Sequence, residues 1–294
     1  SGSMRKVRRI IREFDPDVIV GTGGYASFPA LKMGARLGVP TAVHESNAVP
    51  GLTTRMVERS VDRIMVSFED SRRQYTSPER VIVTGTPVRE EFLYMDKAEA
   101  RRQLGLGDKP LVVSYWGSLG AREMNKKIAE FMKCECRDGE PFRHIHATGS
   151  YGWRWMPEYV RELGVDLEGH PDVEMREFIY DMPLVMAAAD LVICRAGAAT
   201  ISEAAASGTP CIMVPSPNVT DNHQEKNARV LEKHGAAIVL RESECSGETI
   251  YETAKAVLSD PERRRSMTSA AHKMAVVDAA ERIYDVAMEL AKAR

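Results

Sequence analysis

The chain has 294 residues, 28% of them charged and 44% hydrophobic, with a formal net charge of −2. That length accommodates two domains, each with its own core, and the near balance of charge leaves no electrostatic footprint for nucleic acid. Five cysteines, an odd number, include Cys194 and Cys211 inside apolar runs, which fits thiols packed as small hydrophobes in a reducing cytosol. Cys134-Glu135-Cys136 has neither zinc-site nor redox-motif spacing, so no metal is expected. No apolar run approaches the ~18 residues of a membrane span, and no signal-peptide pattern is present. Ser1-Gly2-Ser3 reads as an expression remnant.

Met4 to Phe14 sets Arg5, Lys6, Arg8, Arg9 and Arg12 among Val7, Ile10 and Ile11, the pattern of a basic amphipathic helix, whose usual meaning is a solvated face over a core stripe and whose less common one is a membrane-surface role. Asp17 to Gly21 predicts a buried strand that ends in the glycine-rich turn Gly21-Thr22-Gly23-Gly24-Tyr25, and a helix then runs to Leu37. Tight strand-to-helix turns need glycine for geometry alone, so the turn by itself is no proof of phosphate binding. After the strand Thr41 to Val43 come His44-Glu45-Ser46-Asn47, four polar residues at a strand's carboxyl end, where open α/β sheets place ligand groups. His44 beside Glu45 is the side-chain pair that general-base chemistry uses.

Gly51 to Arg59 reads as helix, with strands at Arg63 to Val66 and Val81 to Val83. Arg89 follows the turn Gly85-Thr86-Pro87-Val88, its guanidinium available to an anion. A polar, helix-forming stretch puts a domain boundary near 95–108, dividing the chain into 4–98, 99–270 and a closing helix 271–294. Leu111 to Ser114 begins the second domain and leads into Trp116-Gly117-Ser118-Leu119-Gly120-Ala121, a third glycine turn. Strands are expected at Phe142 to Ala147 and Val173 to Arg176, and helices at Trp153 to Leu163, Thr249 to Leu258 and Pro261 to Ala293.

Asp190 to Pro217 is the most informative stretch. Leu191 to Cys194 is strand-like, Arg195 to Ala199 a small-residue turn, Thr200 to Ser207 a helix stopped by Gly208, and Cys211 to Val214 a second strand. This βαβ unit demands a parallel sheet buried on both faces. The unpaired N–H groups at its helix start suit a phosphate, Gly197 permits close backbone approach, and Thr200 and Ser202 add hydroxyls. Glu203 can accept two hydrogen bonds from a ribose diol. A plain βαβ crossover packed through small residues has the same pattern. The absence of a well-formed G-x-G-x-x-G with its acidic partner disfavours a dehydrogenase, and the absence of a Walker A sequence disfavours an ATPase or kinase.

Taken in order, GTGGYASFP, HESNAVPGLT, GTPVR, GSLGA, EFIYDM, CRAGAATISEAAASGTP and DNHQEKNA, spread over most of residues 15–230, resemble the bacterial lipid I N-acetylglucosaminyltransferases, the MurG family. The resemblance implies an α/β GT-B fold with two Rossmann-like domains facing across a cleft. It also implies inverting transfer of N-acetylglucosamine from UDP-N-acetylglucosamine to the 4-hydroxyl of the muramoyl sugar of lipid I, giving lipid II for peptidoglycan. Its partners are then the donor, lipid I and the cytoplasmic face of the inner membrane, with the protein peripheral there.

Carried over by motif, the donor site takes Asn47, Arg89, Ser118, Ile179, Ala198, Ala199, Thr200, Ile201, Ser202, Glu203, His223 and Gln224. Ser118 and nearby N–H groups would meet the diphosphate, the Ile179 backbone the uracil edge, Glu203 the ribose, and His223 and Gln224 the sugar. Gly21, Thr22, Gly23, Gly24 and Tyr25 fall to the acceptor. Two positions depart from the pattern: His223 stands where the family has glutamine, and Trp116 where it has glycine. The family also opens with an earlier strand and a GGTGGH-type loop, so the amino-terminal domain is expected to be truncated and transfer to be poor.

Helix starts after Ser118 and Gly197, with Arg89, would stabilise departing UDP without an obligatory metal or cofactor, and no Asp-x-Asp motif is present. His44 and Glu45 are the candidate bases. Lys32 and Arg36, near Phe28, Leu31 and Met33, offer a basic and apolar face for anionic lipid, or an ordinary amphipathic helix. The rivals are a related GT-B transferase, a UDP-N-acetylglucosamine epimerase, or a non-catalytic nucleotide-sugar-binding protein.

Overall fold

The computed structural model describes residues 2–294. It divides into two compact units, the first made of the chain up to Pro87 together with Ala275–Arg294, the second of Val88–Met274. The first division therefore lies ahead of the 95–108 stretch. The helix in that stretch, Lys97–Gln103, belongs to the second unit, because its Lys97 and Arg101 donate to the carbonyls of Ala189 and Ala188 (3.0 and 3.1 Å) that end a helix there.

In the first unit, α1 (Gly2–Phe14), β1 (Ile19–Gly21), α2 (Gly24–Arg36), β2 (Thr41–Glu45), α3 (Leu52–Val57), β3 (Arg63–Val66) and β4 (Val81–Val83) follow in order. The strands form a parallel sheet in the sequence β1-β2-β3-β4, with Ile19 opposite Thr41, Ala42 opposite Arg63 and Ile64 opposite Val81. Strand alternation separates two cores. Val43, Ile64 and Val66 pack with Leu31 and Val57 on one face, and Ala42 and Met65 meet Val286 and Leu290 of the C-terminal helix Ala279–Lys292 on the other. Leu31 and Met33 are buried, so the apolar half of the face anticipated around Lys32 and Arg36 is core, and α2 is an ordinary amphipathic helix.

The second unit contains α4 (Glu91–Tyr94), α5 (Lys97–Gln103), β5 (Leu111–Tyr115), α6 (Arg122–Arg137), β6 (Arg143–Ala147), α7 (Gly149–Gly152), α8 (Met156–Glu162) and β7 (Val173–Arg176). It continues with α9 (Met182–Ala188), β8 (Leu191–Cys194), α10 (Ala198–Ser207), β9 (Cys211–Met213), α11 (His223–Lys233), β10 (Ala237–Val239), α12 (Gly247–Leu258) and α13 (Pro261–Met274). The helix expected over Pro261 to Ala293 breaks at residues 275–278, where Val276 packs on Gly85 and the chain rejoins the first unit.

All six strands are parallel, in the order β10-β9-β8-β5-β6-β7. Leu111 to Val113, Leu191 to Cys194 and Cys211 to Met213 are wholly buried, as strands covered on both faces must be. The order reverses between β5 and β8, which opens a crevice at the carboxyl ends of those two strands.

Candidate donor site and the loops that hold it

The loops after β5 and β8 flank that crevice, and they are the loops that carry Ser118 and Gly197. Arg195 ties them together. Its guanidinium lies 5.7 Å from the ring centre of the buried Trp116, donates to the carbonyls of Val214 and Pro215 (3.0 and 3.2 Å) and pairs with Glu242 at 2.6 Å. Trp116, which departs from the family pattern, thus serves as the platform under Arg195.

α10 begins at Ala198, two residues earlier than expected, with Gly197 as its extended N-cap, and Ile201 N–H already returns to the Gly197 carbonyl at 3.0 Å. Among the described residues no side chain caps this start, so its first N–H groups remain for a ligand. Ala199 is exposed, Ala198, Thr200 and Ser202 are half-buried, and Ile201 is buried beneath them. The Ser202 hydroxyl donates to Ala198 O at 3.0 Å, a bond within the helix. Burial pushes the Glu203 carboxyl above its usual range, and Arg89 is near enough to oppose the rise. Arg89 itself is exposed, its guanidinium 5.2 Å from the ring centre of Phe92.

Gln224 on α11 accepts at Oε1 from Ala196 N–H (3.3 Å) and Ser216 N–H (2.9 Å), which fixes its amide oxygen between those two segments. Asn227 donates to Ala196 O at 3.0 Å. His223 Nδ1 bonds to Thr220 O at 2.9 Å, just after Asp221 and Asn222, both in left-handed conformation. Ile179 is buried in the loop after β7, and Ser118 is exposed in the loop after β5.

The loop after β6, not assigned to the site from the sequence, completes the arrangement. Ser150 N–H and Tyr151 N–H bond to the carbonyls of Ser118 and Leu119 at 3.0 and 3.4 Å. Gly120 and Gly149 cross backbone to backbone: a Cβ on Gly120 would lie 2.1 Å from Thr148 O, and one on Gly149 would lie 2.2 Å from Gly120 N. Both have positive φ, +77° and +74°, so two glycines are required at the crossing. The signal was present as a fourth strand followed by a glycine.

A buried chain of polar groups reaches this crossing from the interior. Glu135 Oε2 is 3.0 Å from His144 Nδ1, His144 Nε2 is 2.7 Å from Ser114 Oγ, and Ser114 Oγ is 2.7 Å from His146 Nδ1. His146 Nε2 meets Asn125 Oδ1 at 3.1 Å, and Asn125 Nδ2 donates to Thr148 O at 2.8 Å. Burial pushes the Glu135 carboxyl up and the His144 imidazole down to about 3, which favours the neutral form of each, and His146 Nδ1 also lies 3.2 Å from Ser114 O. Glu135, His144 and Ser114 have the connectivity of a hydrolase triad, but all three have 0% exposure and no substrate reaches them. Histidines at i and i+2 on a strand share a face, which is the sequence signal for this chain.

In the first unit, His44 and Glu45, the candidate bases, both make structural hydrogen bonds. Both lie in β2, and alternation sends them to opposite faces. His44 is buried with Nε2 2.8 Å from Gly85 O. Glu45 is buried too, and its carboxylate accepts four bonds: Asn47 N and Nδ2 (3.1 Å each) on Oε1, Gly51 N (2.9 Å) and Thr54 Oγ1 (2.6 Å) on Oε2. Occupied in this way, it shapes the 46–54 loop and holds Asn47. In the glycine turn, Gly21 is buried, Thr22 and Tyr25 are exposed, and Gly23 and Gly24 have φ of +84° and +72°.

Residues 112–283 match the glycosyltransferase family 28 C-terminal domain, and residues 1–66 the family's N-terminal domain. The chain belongs to glycosyltransferase family 28. It is 39% identical over 290 residues to the UDP-N-acetylglucosamine–N-acetylmuramyl-(pentapeptide) pyrophosphoryl-undecaprenol N-acetylglucosamine transferase of Acetivibrio thermocellus, covering 98% of this chain and 77% of that one. Its identity to the enzyme of the same name from a Thermoanaerobacter species is 41% over 282 residues, covering 96% and 76%. Among solved structures, Acinetobacter baumannii MurG superposes with a TM-score of 0.79 at 24% identity, covering 97% of this chain and 78% of that one. A UDP-GlcNAc 2-epimerase from Neisseria meningitidis shares the fold at a TM-score of 0.68 and 15% identity, covering 97% and 80%. The family has the GT-B fold, and both parallel-sheet units here are of that class.

Proposed function

We propose that this family 28 glycosyltransferase is the enzyme that moves N-acetylglucosamine from UDP-N-acetylglucosamine to the 4-hydroxyl of the muramoyl sugar of lipid I, with inversion, giving lipid II and UDP for peptidoglycan synthesis. The observation that carries this reading is the identity of 39–41% to N-acetylglucosaminyltransferases across nearly the whole chain, with the GSLGA and CRAGAAT loops following the two strands at the second unit's strand-order reversal. The diphosphate sits between the Ser118 loop and the start of α10, where main-chain N–H groups and Arg89 receive the charge that develops as UDP departs. Glu203 holds the ribose diol, the Ile179 backbone reads the uracil edge, and the Gln224 NH2 group, with His223, addresses the sugar. In the first unit, the turn from Gly21 to Tyr25 holds the acceptor.

Calorimetric titration with UDP-N-acetylglucosamine, compared with UDP-glucose and an adenine nucleotide, tests the donor site. Preference for the first ligand is expected, and equal affinity for the adenine nucleotide overturns the reading. Conversion of lipid I to lipid II tests the reaction.

The lipid-linked acceptor places the protein at the inner face of the cytoplasmic membrane. No helix among the described residues is long and apolar enough to cross a membrane. α1 supports surface contact, because Arg5, Lys6, Arg8, Arg9 and Arg12 are exposed beside Ile10 and Phe14, the latter 78% accessible. Sedimentation with phosphatidylglycerol vesicles, weakened by Phe14→Ser with Arg9→Glu, is the expected outcome. Unchanged sedimentation removes α1 from the contact.

A further inference from the structure

At the opposite edge of the second unit's sheet lies a pocket of about 730 Å³ that the donor chemistry does not use. Asp190 and Pro210, which immediately precede β8 and β9, form part of its wall, so it opens at the amino ends of the strands. One face of α13 supplies most of the rest. Arg264, Arg265, Thr268, Ser269, His272 and Lys273 recur at helical spacing along it, and Lys97 of α5 completes the ring.

The charge there is lopsided. Asp190 is the only carboxylate in the lining, and it is already shared by three cations: Lys97 at 2.8 Å, Arg264 at 3.3 Å and Arg101 at 3.1 Å. Leu111 N–H donates to it as well, at 2.9 Å. Arg264 Nε is buried with no hydrogen-bond partner among the described residues. Arg265 and Lys273 are exposed and make no ion pair within the described residues. A folded chain close to neutral overall thus concentrates four cations and hydroxyl donors around one saturated acid. Like charges held together in a concave site raise the local potential and draw a multivalent anion. Guanidinium forks and ammonium donors suit phosphate oxygens, and Thr268 and Ser269 can donate to the same oxygens.

We propose that this pocket binds a phosphate-bearing anion, as a site separate from the donor crevice. The test is calorimetric titration of the full chain with inorganic pyrophosphate in saturating UDP, which keeps the crevice filled. Wild type is expected to bind one further pyrophosphate. Arg265→Glu with Lys273→Glu, both on exposed positions, is expected to weaken that binding by at least about tenfold while leaving UDP affinity and Tm unchanged. Arg263→Glu, outside the pocket on the same helix, controls for general electrostatics and is expected to change nothing.

A second arm separates the sources of the phosphate. Phosphatidylglycerol vesicles that bind wild type but not the double variant, in the absence of pyrophosphate binding, assign the pocket to a lipid headgroup. Pyrophosphate binding lost in the double variant assigns it to a soluble phosphate. The proposal is overturned if wild type binds neither probe, or if the double variant binds both as wild type does. Failure of UDP itself to bind would overturn the donor reading instead, and the pyrophosphate titration would still report on this pocket.

Discussion

The loop after β2 in the first unit and the loops after β5 and β8 in the second occupy equivalent places in their sheets and solve opposite problems. The β2 loop is rich in polar side chains, yet the structure turns them inward: His44 holds the β4 end, and Glu45 gathers four donors from its own loop. The β5 and β8 loops carry small residues, and what they present is backbone. Polar side chains near those loops, such as Gln224, Asn125 and Arg195, serve to fix that backbone. A residue's chemical capability and its employment in the fold are therefore different facts. Where main-chain N–H groups do the binding, the conspicuous side chains are one layer back.

The comparison breaks most decisively at the glycine crossing. Gly149→Ala would put a methyl group 2.2 Å from Gly120 N at a positive φ, and neither backbone can give way without moving the Ser118 loop. A cost of about 2–4 kcal/mol is expected, with loss of most UDP affinity. A thermal melt and a UDP titration check both parts. If the protein melts and binds like wild type, the two loops are not held by this contact.

A somewhat smaller effect is expected at Glu45. Glu45→Ala strands buried donors of the 46–54 loop and should lower stability by about 2–3 kcal/mol, whereas Glu45→Gln, which keeps one acceptor oxygen, should cost about 1–2 kcal/mol. A catalytic base would behave otherwise, with Glu45→Gln abolishing turnover at unchanged Tm. Comparing Tm with the turnover number for the two variants therefore separates support from catalysis.

How far the sequence could be read follows from the same contrast. The parallel strands were legible because runs such as Leu191 to Cys194 are apolar at every position, and only a strand buried on both faces needs that. The βαβ unit ending at Pro217 was legible because its strand, turn and helix each carry their own signals. Three kinds of feature were not. The destination of Glu45's lone pairs depends on Thr54 and Gly51, whose approach is set by the loop's path. The Gly120–Gly149 crossing joins two turns far apart in the chain. The break at residues 275–278 comes from Val276 seating on Gly85 across a long sequence interval, while local propensity favours continuous helix. Each is a tertiary decision with no periodicity to announce it.

Glu203 sharpens the comparison, since it is the one acidic side chain given a direct ligand role among loops that otherwise bind through backbone. Glu203→Gln keeps the size and one acceptor oxygen, so the expected loss is about 1.4 kcal/mol, about tenfold in UDP affinity, with little change in Tm. Its pH dependence is the more specific test. Burial raises the carboxyl above the usual range for glutamate, with Arg89 only partly opposing this, so on acidification the carboxylate is lost earlier than an exposed one would be. Wild-type affinity for UDP should then fall as pH drops toward the ordinary glutamate range and above it. The phosphate of UDP also takes up a proton, near pH ~6, and weakens binding in both proteins. The informative quantity is thus the ratio of the two affinities, which should shrink from about ten toward one as Glu203 becomes protonated. A ratio that stays constant across that range would mean that this carboxyl does not hold the ribose as a carboxylate.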